Sequence, residues 1–172
     1  SAIGHNRYST TGETSLRNIQ PFFADLYMGG VSIAHNGNLT NALLLREILV
    51  KEGAIFRTTS DTETIVQLIA KSKRDKFLEK LIDALFQIQG GYSLILMTSK
   101  KLIGVRDPFG IRPLVIGKRF SSITNKEEWM VASESLVLEN NDYEVVRDVD
   151  PGEAVFINLD GEFFSKQCSE NP

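Results

Sequence analysis

Tyr27-Met28-Gly29-Gly30-Val31-Ser32-Ile33-Ala34-His35 alternates along its length and runs straight into Asn36-Gly37-Asn38. A period of two marks a strand with one face buried, so a strand ending at His35 and a tight turn over Asn36–Asn38 are expected. Polar side chains at such a strand end make it a candidate site. Downstream the period changes. Thr40 or Asn41 starts a helix with Leu44, Leu45, Ile48 and Leu49 on its apolar side and Gly53 as its stop. Ser60-Asp61-Thr62-Glu63 has the pattern of a capping box and opens a helix carrying Ile65, Val66, Leu68 and Ile69. Asp75 is placed to cap a third, whose Phe77, Leu81, Ala84, Leu85 and Ile88 recur at helical spacing.

After Gly90-Gly91 short strands follow: Tyr92 to Met97, Leu102 to Val105, Leu114 to Ile116, Trp129 to Ala132, Val145 to Val146 and Ala154 to Leu159. Turns rich in Asp, Pro and Gly separate them. Strands, then helices, then many strands give an α+β fold with segregated layers rather than alternating βαβ units. Upstream, Ile3 to Tyr8 reads as a strand that begins almost on the first residue, so the chain is expected to be cut from a longer one.

The 172 residues, 42% hydrophobic and 24% charged, suit one packed domain spanning 1–172. Acids and bases are interspersed to a net charge of −3, which argues against nucleic acid and anionic membranes as partners. No apolar run is long enough to span a membrane and no signal peptide is visible, so a cytoplasmic protein is expected. One cysteine, Cys168, and two histidines, His5 and His35, point to neither a disulfide framework nor a metal site, and no cofactor is expected within this chain.

Three polar clusters remain: Gly4-His5-Asn6-Arg7-Tyr8-Ser9-Thr10, His35-Asn36-Gly37-Asn38 and Thr59-Ser60-Asp61-Thr62-Glu63. Together they hold what an amino acid needs. Arg7 offers a bidentate fork for an α-carboxylate, Asp61 a partner for an α-ammonium, and Asn36 with the Gly37 N–H two donors for an oxyanion. Taken singly, each has a plainer reading: a surface arginine, a first-turn acid complementing its helix dipole, a tight turn.

In this order and wording the clusters resemble the class II glutamine amidotransferase domain. Arg106-Asp107-Pro108-Phe109-Gly110-Ile111-Arg112-Pro113-Leu114, Val131-Ala132-Ser133-Glu134-Ser135 and Arg147-Asp148-Val149-Asp150-Pro151-Gly152-Glu153 narrow the resemblance to the amidophosphoribosyltransferase family. Tyr8 stands where the glucosamine-phosphate branch typically has Trp. The resemblance implies a four-layer αββα sandwich of the N-terminal-nucleophile hydrolase type, here incomplete at its N-terminus and left with an open sheet edge. It also implies roles: Arg7 and Thr10 on the glutamine carboxylate side, Asp61 on the α-amino group, Asn36 and Gly37 as the oxyanion hole.

The implied reaction is hydrolysis of glutamine to glutamate and ammonia by an N-terminal cysteine, and no cysteine precedes Ile3-Gly4-His5, so the chain alone is expected to be inactive. Cys168 with His5 or His35 is the alternative thiol–imidazole pair within the chain. The resemblance further implies transfer of the ammonia to phosphoribosyl pyrophosphate, with Mg²⁺, in a domain beyond Pro172, and a homo-oligomeric full-length protein. These residues leave an iron–sulfur cluster in the parent open. Two rivals stand beside this reading: another class II amidotransferase, and a non-catalytic glutamine-binding module.

Overall fold

The computed structural model describes residues 1–6 and 16–169. After a 3-10 turn at Leu16–Asn18 come β1 (Phe22–Leu26) and β2 (Gly29–Leu39), then α1 (Ala42–Lys51), α2 (Asp61–Lys71) and α3 (Phe77–Leu85). The remainder is β3 (Gly90–Thr98), β4 (Lys101–Arg106), β5 (Val115–Ser121), β6 (Lys126–Ala132), α4 (Ser135–Glu139), β7 (Glu144–Asp148), β8 (Glu153–Asn158) and β9 (Phe163–Gln167). Two antiparallel sheets result, one in the order β1-β2-β3-β4-β8-β9 and the other in the order β6-β5-β7.

Side-chain alternation sorts the strands into four layers. Leu94 and Leu96 of β3, Ile103 and Val105 of β4, and Ala154 and Phe156 of β8 pack with Leu45, Leu49, Ile65, Ile69, Leu81 and Ala84 of the helices. The intervening Ile95 and Val155 point the other way and meet Ile116, Trp129 and Val131 of the smaller sheet. On the far face of that sheet, Val115, Met130 and Ala132 pack on Leu138 of α4. The order is therefore helices, large sheet, small sheet, helix, as expected of an αββα sandwich, with one five-residue helix as the outer layer on the smaller sheet. Helix α2 anchors the main core: Ile65, Val66, Leu68 and Ile69 are all buried, each contributing about 1.5–3 kcal/mol.

Local details depart from the sequence reading. Residues 3–6 form no strand, and the rest of that segment lies outside the described residues. β2 does not stop at His35 but continues through Asn36 and Gly37 to Leu39, paired with β3 throughout. Leu44 and Ile48 of α1 are exposed, because only Leu45 and Leu49 face α2 and the sheet. The Asn41 side chain does not cap α1; it bonds the Gln87 carbonyl and the Gln89 N–H, tying the start of α1 to the approach of β3. The N-cap of α3 is Lys76 rather than Asp75. Strands β1 and β9 and helix α4 were not expected. They are five residues each, too short for a period to declare itself.

Candidate active site

A cavity of about 620 Å³ lies where the end of β2 meets the start of α2. His35, Asn36 and Gly37 line it from β2, Ser60 and Asp61 from α2, and Gly4, His5 and Asn6 from the first segment. Arg112, Ser133 and Glu134 complete the wall from the smaller sheet and its approach. The structure thus brings together Asn36, Gly37 and Asp61, which lie far apart in sequence. Arg7 and Thr10 lie outside the described residues, while their neighbours Gly4–Asn6 reach the cavity.

Gly37 has φ of +137°, and a Cβ there would run into the Gly91 carbonyl oxygen and come within 2.8 Å of the Tyr92 Cα. Only glycine fits. The positive-φ residue sits inside the ladder rather than ending it, and Asn36-Gly37 reach the cavity without a turn. The main chain of β2 is fixed on its other side too, because the His35 N–H donates to Gln20 Oε1 at 2.6 Å.

The start of α2 is held from three directions. Ser60 Oγ accepts the Thr62 N–H as an N-cap. Glu63 does not reach back to Ser60 as a capping box would. Its buried carboxylate accepts the N–H groups of Arg57 and Thr58, at 2.9 and 2.7 Å, and the Thr58 hydroxyl. Asn18 then clamps Thr59, donating to its hydroxyl at 2.8 Å and accepting its N–H at 3.1 Å. Asp61 is left free of capping duty. Its Oδ2 accepts the Leu39 N–H at 3.0 Å and its Oδ1 stands 3.4 Å from His35 Nδ1, with 13% of the side chain exposed. Burial pushes this carboxyl's pKa up, but the His35 imidazole and the Leu39 and Thr62 N–H groups outweigh it, leaving the value below the usual 3.8. The carboxylate is charged, partly open and on the cavity wall.

Arg112 reaches the cavity through a turn built around Asp107. That carboxylate is fully buried and accepts N–H groups from Phe109, Ile111, Arg112 and Tyr92 at 3.0 to 3.3 Å. The same turn packs on β3, since a Cβ on Gly91 would come within 2.7 Å of Ile111 Cγ2. Arg112, Gln20, Ser133 and Glu134 were missed as site residues. The Asp-Pro-Phe-Gly-Ile-Arg-Pro run announced a turn but not what the turn faces.

Cys168 is buried in the main core and does not line the cavity; burial pushes its thiol pKa up. The structure does not pair it with His5 or His35, which removes the support for a thiol–imidazole nucleophile. Among the described residues no group of three or more His, Cys, Asp or Glu side chains is placed to hold a metal, and no helix is long and apolar enough to cross a membrane.

Comparison with known proteins identifies relatives over nearly the whole chain. The amidophosphoribosyltransferase of Rhizobium etli is 47% identical over 158 residues, covering 92% of this chain and 31% of its own length. Amidophosphoribosyltransferase 1, chloroplastic, of Arabidopsis thaliana is 43% identical, over 97% of this chain and 30% of its own. The chain thus spans about a third of these relatives. The solved B. subtilis glutamine phosphoribosylpyrophosphate amidotransferase, complexed with ADP and GMP, superposes with a TM-score of 0.87 at 34% identity, over 97% of this chain and 34% of that one. Residues 5–140 match the glutamine amidotransferase domain model. Together with the four-layer sandwich, that match settles the family: the chain belongs to the glutamine amidotransferase domains, of the kind found in amidophosphoribosyltransferases.

Proposed function

We propose that the cavity binds glutamine and that this domain, within its full-length protein, releases ammonia from the side-chain amide for transfer to phosphoribosyl pyrophosphate. The observation that carries this reading is the meeting of Asn36-Gly37 and Asp61 at one cavity. Asp61 takes the α-ammonium, and Arg7 and Thr10 take the α-carboxylate. Asn36 and the Gly37 N–H receive the oxyanion that forms as an N-terminal cysteine attacks the amide carbon. A thioester follows as ammonia leaves, and water resolves it. Phosphoribosyl pyrophosphate with Mg²⁺ is handled by the part of the protein outside this chain, in a homo-oligomer.

The test is ammonia release by the full-length protein with glutamine and asparagine as substrates. Release from glutamine with a KM raised about ten- to a hundredfold by Arg7→Ala is expected, since one charge-assisted bond is lost. A protein that uses added ammonia but never glutamine would refute the reading.

A further inference from the structure

Arg17, Arg46 and Arg57 line one depression of about 420 Å³, whose wall continues into Thr58 and Thr59 just before the Ser60 cap of α2. They come from three places in the chain: the 3-10 turn, α1 and the loop between α1 and α2. The chain carries a net charge of −3 with acids and bases interspersed, so composition alone does not gather three cations on one wall. Like charges brought together repel, and an anion among them relieves the repulsion. Glu63, the acid of this segment, is engaged elsewhere: it is buried and accepts the Arg57 and Thr58 N–H groups and the Thr58 hydroxyl.

The donors are also held in place. Arg46 Cζ lies 4.0 Å from the centroid of the Phe56 ring, which lines the same depression. Stacking engages the face of a guanidinium, while its N–H groups point outward in the plane and remain donors. The loop carrying Arg57 is pinned by Glu63 on one side and by Asn18 on the other, through the Thr59 hydroxyl and N–H. The Thr59 hydroxyl accepts from Asn18 and has a hydrogen of its own to donate. Donors fixed beforehand lose little entropy on binding.

We propose that this depression is a phosphate-binding site, taking inorganic phosphate or the phosphate group of an organic ester. A planar carboxylate is satisfied by a single guanidinium fork, whereas a tetrahedral phosphate presents oxygens in several directions and can bridge three. Among the described residues the site shares no lining residue with the glutamine cavity, and it stands independently of the glutamine reading.

The test maps arginine reactivity in the full-length protein. Phenylglyoxal labelling, located residue by residue by peptide mass spectrometry, is run with inorganic phosphate, glycerol 3-phosphate or acetate at constant ionic strength. Labelling of Arg46 and Arg57 should slow about tenfold at about 10 mM phosphate, as for a Kd near ~1 mM. Arg74, exposed and paired with Asp83, should label at an unchanged rate. Protection by inorganic phosphate alone, by the ester alone or by both supports the site and identifies the source of its phosphate. Arg57 is exposed, so Arg57→Gln leaves the fold intact, and it should abolish the protection of Arg46 because the two hold one ligand. Unchanged labelling with both phosphates, equal protection by acetate, or protection of Arg46 that survives Arg57→Gln would overturn the proposal.

Discussion

Asp61, partly buried, and Asp107, fully buried, both shape the same cavity, but they are bonded differently. Asp107 accepts four backbone N–H groups, and a carboxylate has about four lone-pair sites, so nothing is left over. Asp61 accepts from Leu39, Thr62 and His35 and keeps an exposed edge. A saturated carboxylate is a structural rivet; an unsaturated one beside a cavity is available to a ligand. Glu63, which accepts two N–H groups and a hydroxyl while only 2% exposed, belongs with Asp107.

Substitutions should separate the two kinds. Asp107→Ala strands four backbone donors, so a stability loss of about 4 kcal/mol or more and a Tm lower by about 10 °C are expected in thermal unfolding. A stable, fully active Asp107→Ala protein would erase the distinction. Next in size, Asn36→Ala should lower kcat by roughly 10²–10³ with glutamine KM little changed, because the amide serves only the developing oxyanion. A rise in KM alone would move Asn36 from the reacting atoms to ground-state binding.

For Asp61→Ala, KM should rise about ten- to a hundredfold while Tm falls only a few degrees. If Asp61 merely complemented the helix dipole, the outcome would be reversed, with KM intact. Acid titration sharpens the same point. The folded carboxyl lies below its ordinary 3.8, so its stabilisation is present above that value and lost as pH falls through the folded pKa. Asp61→Asn should flatten that part of the stability curve below about pH 4. The smallest effect belongs to the cap: Ser60→Ala should cost about 1 kcal/mol, or roughly 3 °C, without changing KM.

Much of this was legible in the chain itself. The α+β class with segregated layers came from the change of period after Gly90, the four-layer order from the resemblance, and the three helices from apolar spacing together with cap and stop signals. Asn36, Gly37 and Asp61 were named from residue type and order before any geometry placed them together. What could not be seen were contacts between distant segments. Nothing in Asn18 announces Thr59, and nothing in Asp107 announces Tyr92. Gly37 shows the limit clearly: Asn-Gly signals a turn by local rules, whereas pairing with β3 runs straight through it and the close approach of Gly91 leaves room only for glycine. His35 was noted, but that Asp61 and Thr62 would both close on its Nδ1 depends on how β2 and α2 pack together.

Strands β4 and β8 are neighbours, yet the whole smaller sheet lies between them in sequence. The detour leaves at Arg106-Asp107 and returns at Val149–Gly152, and its ends are laced together: Arg106 Nη1 donates to the Val149 carbonyl at 2.7 Å and the Gly152 N–H to the Asp107 carbonyl at 3.0 Å. A segment whose two ends are already fastened by its host is an insertion in the architectural sense. Closing a longer or shorter one costs entropy that grows only with the logarithm of its length. The half of the cavity supplied by Arg112, Ser133 and Glu134 therefore belongs to an insertion whose loops can change length at small entropic cost, while its sheet stays bound to the large one through Ile116, Val131 and Val155.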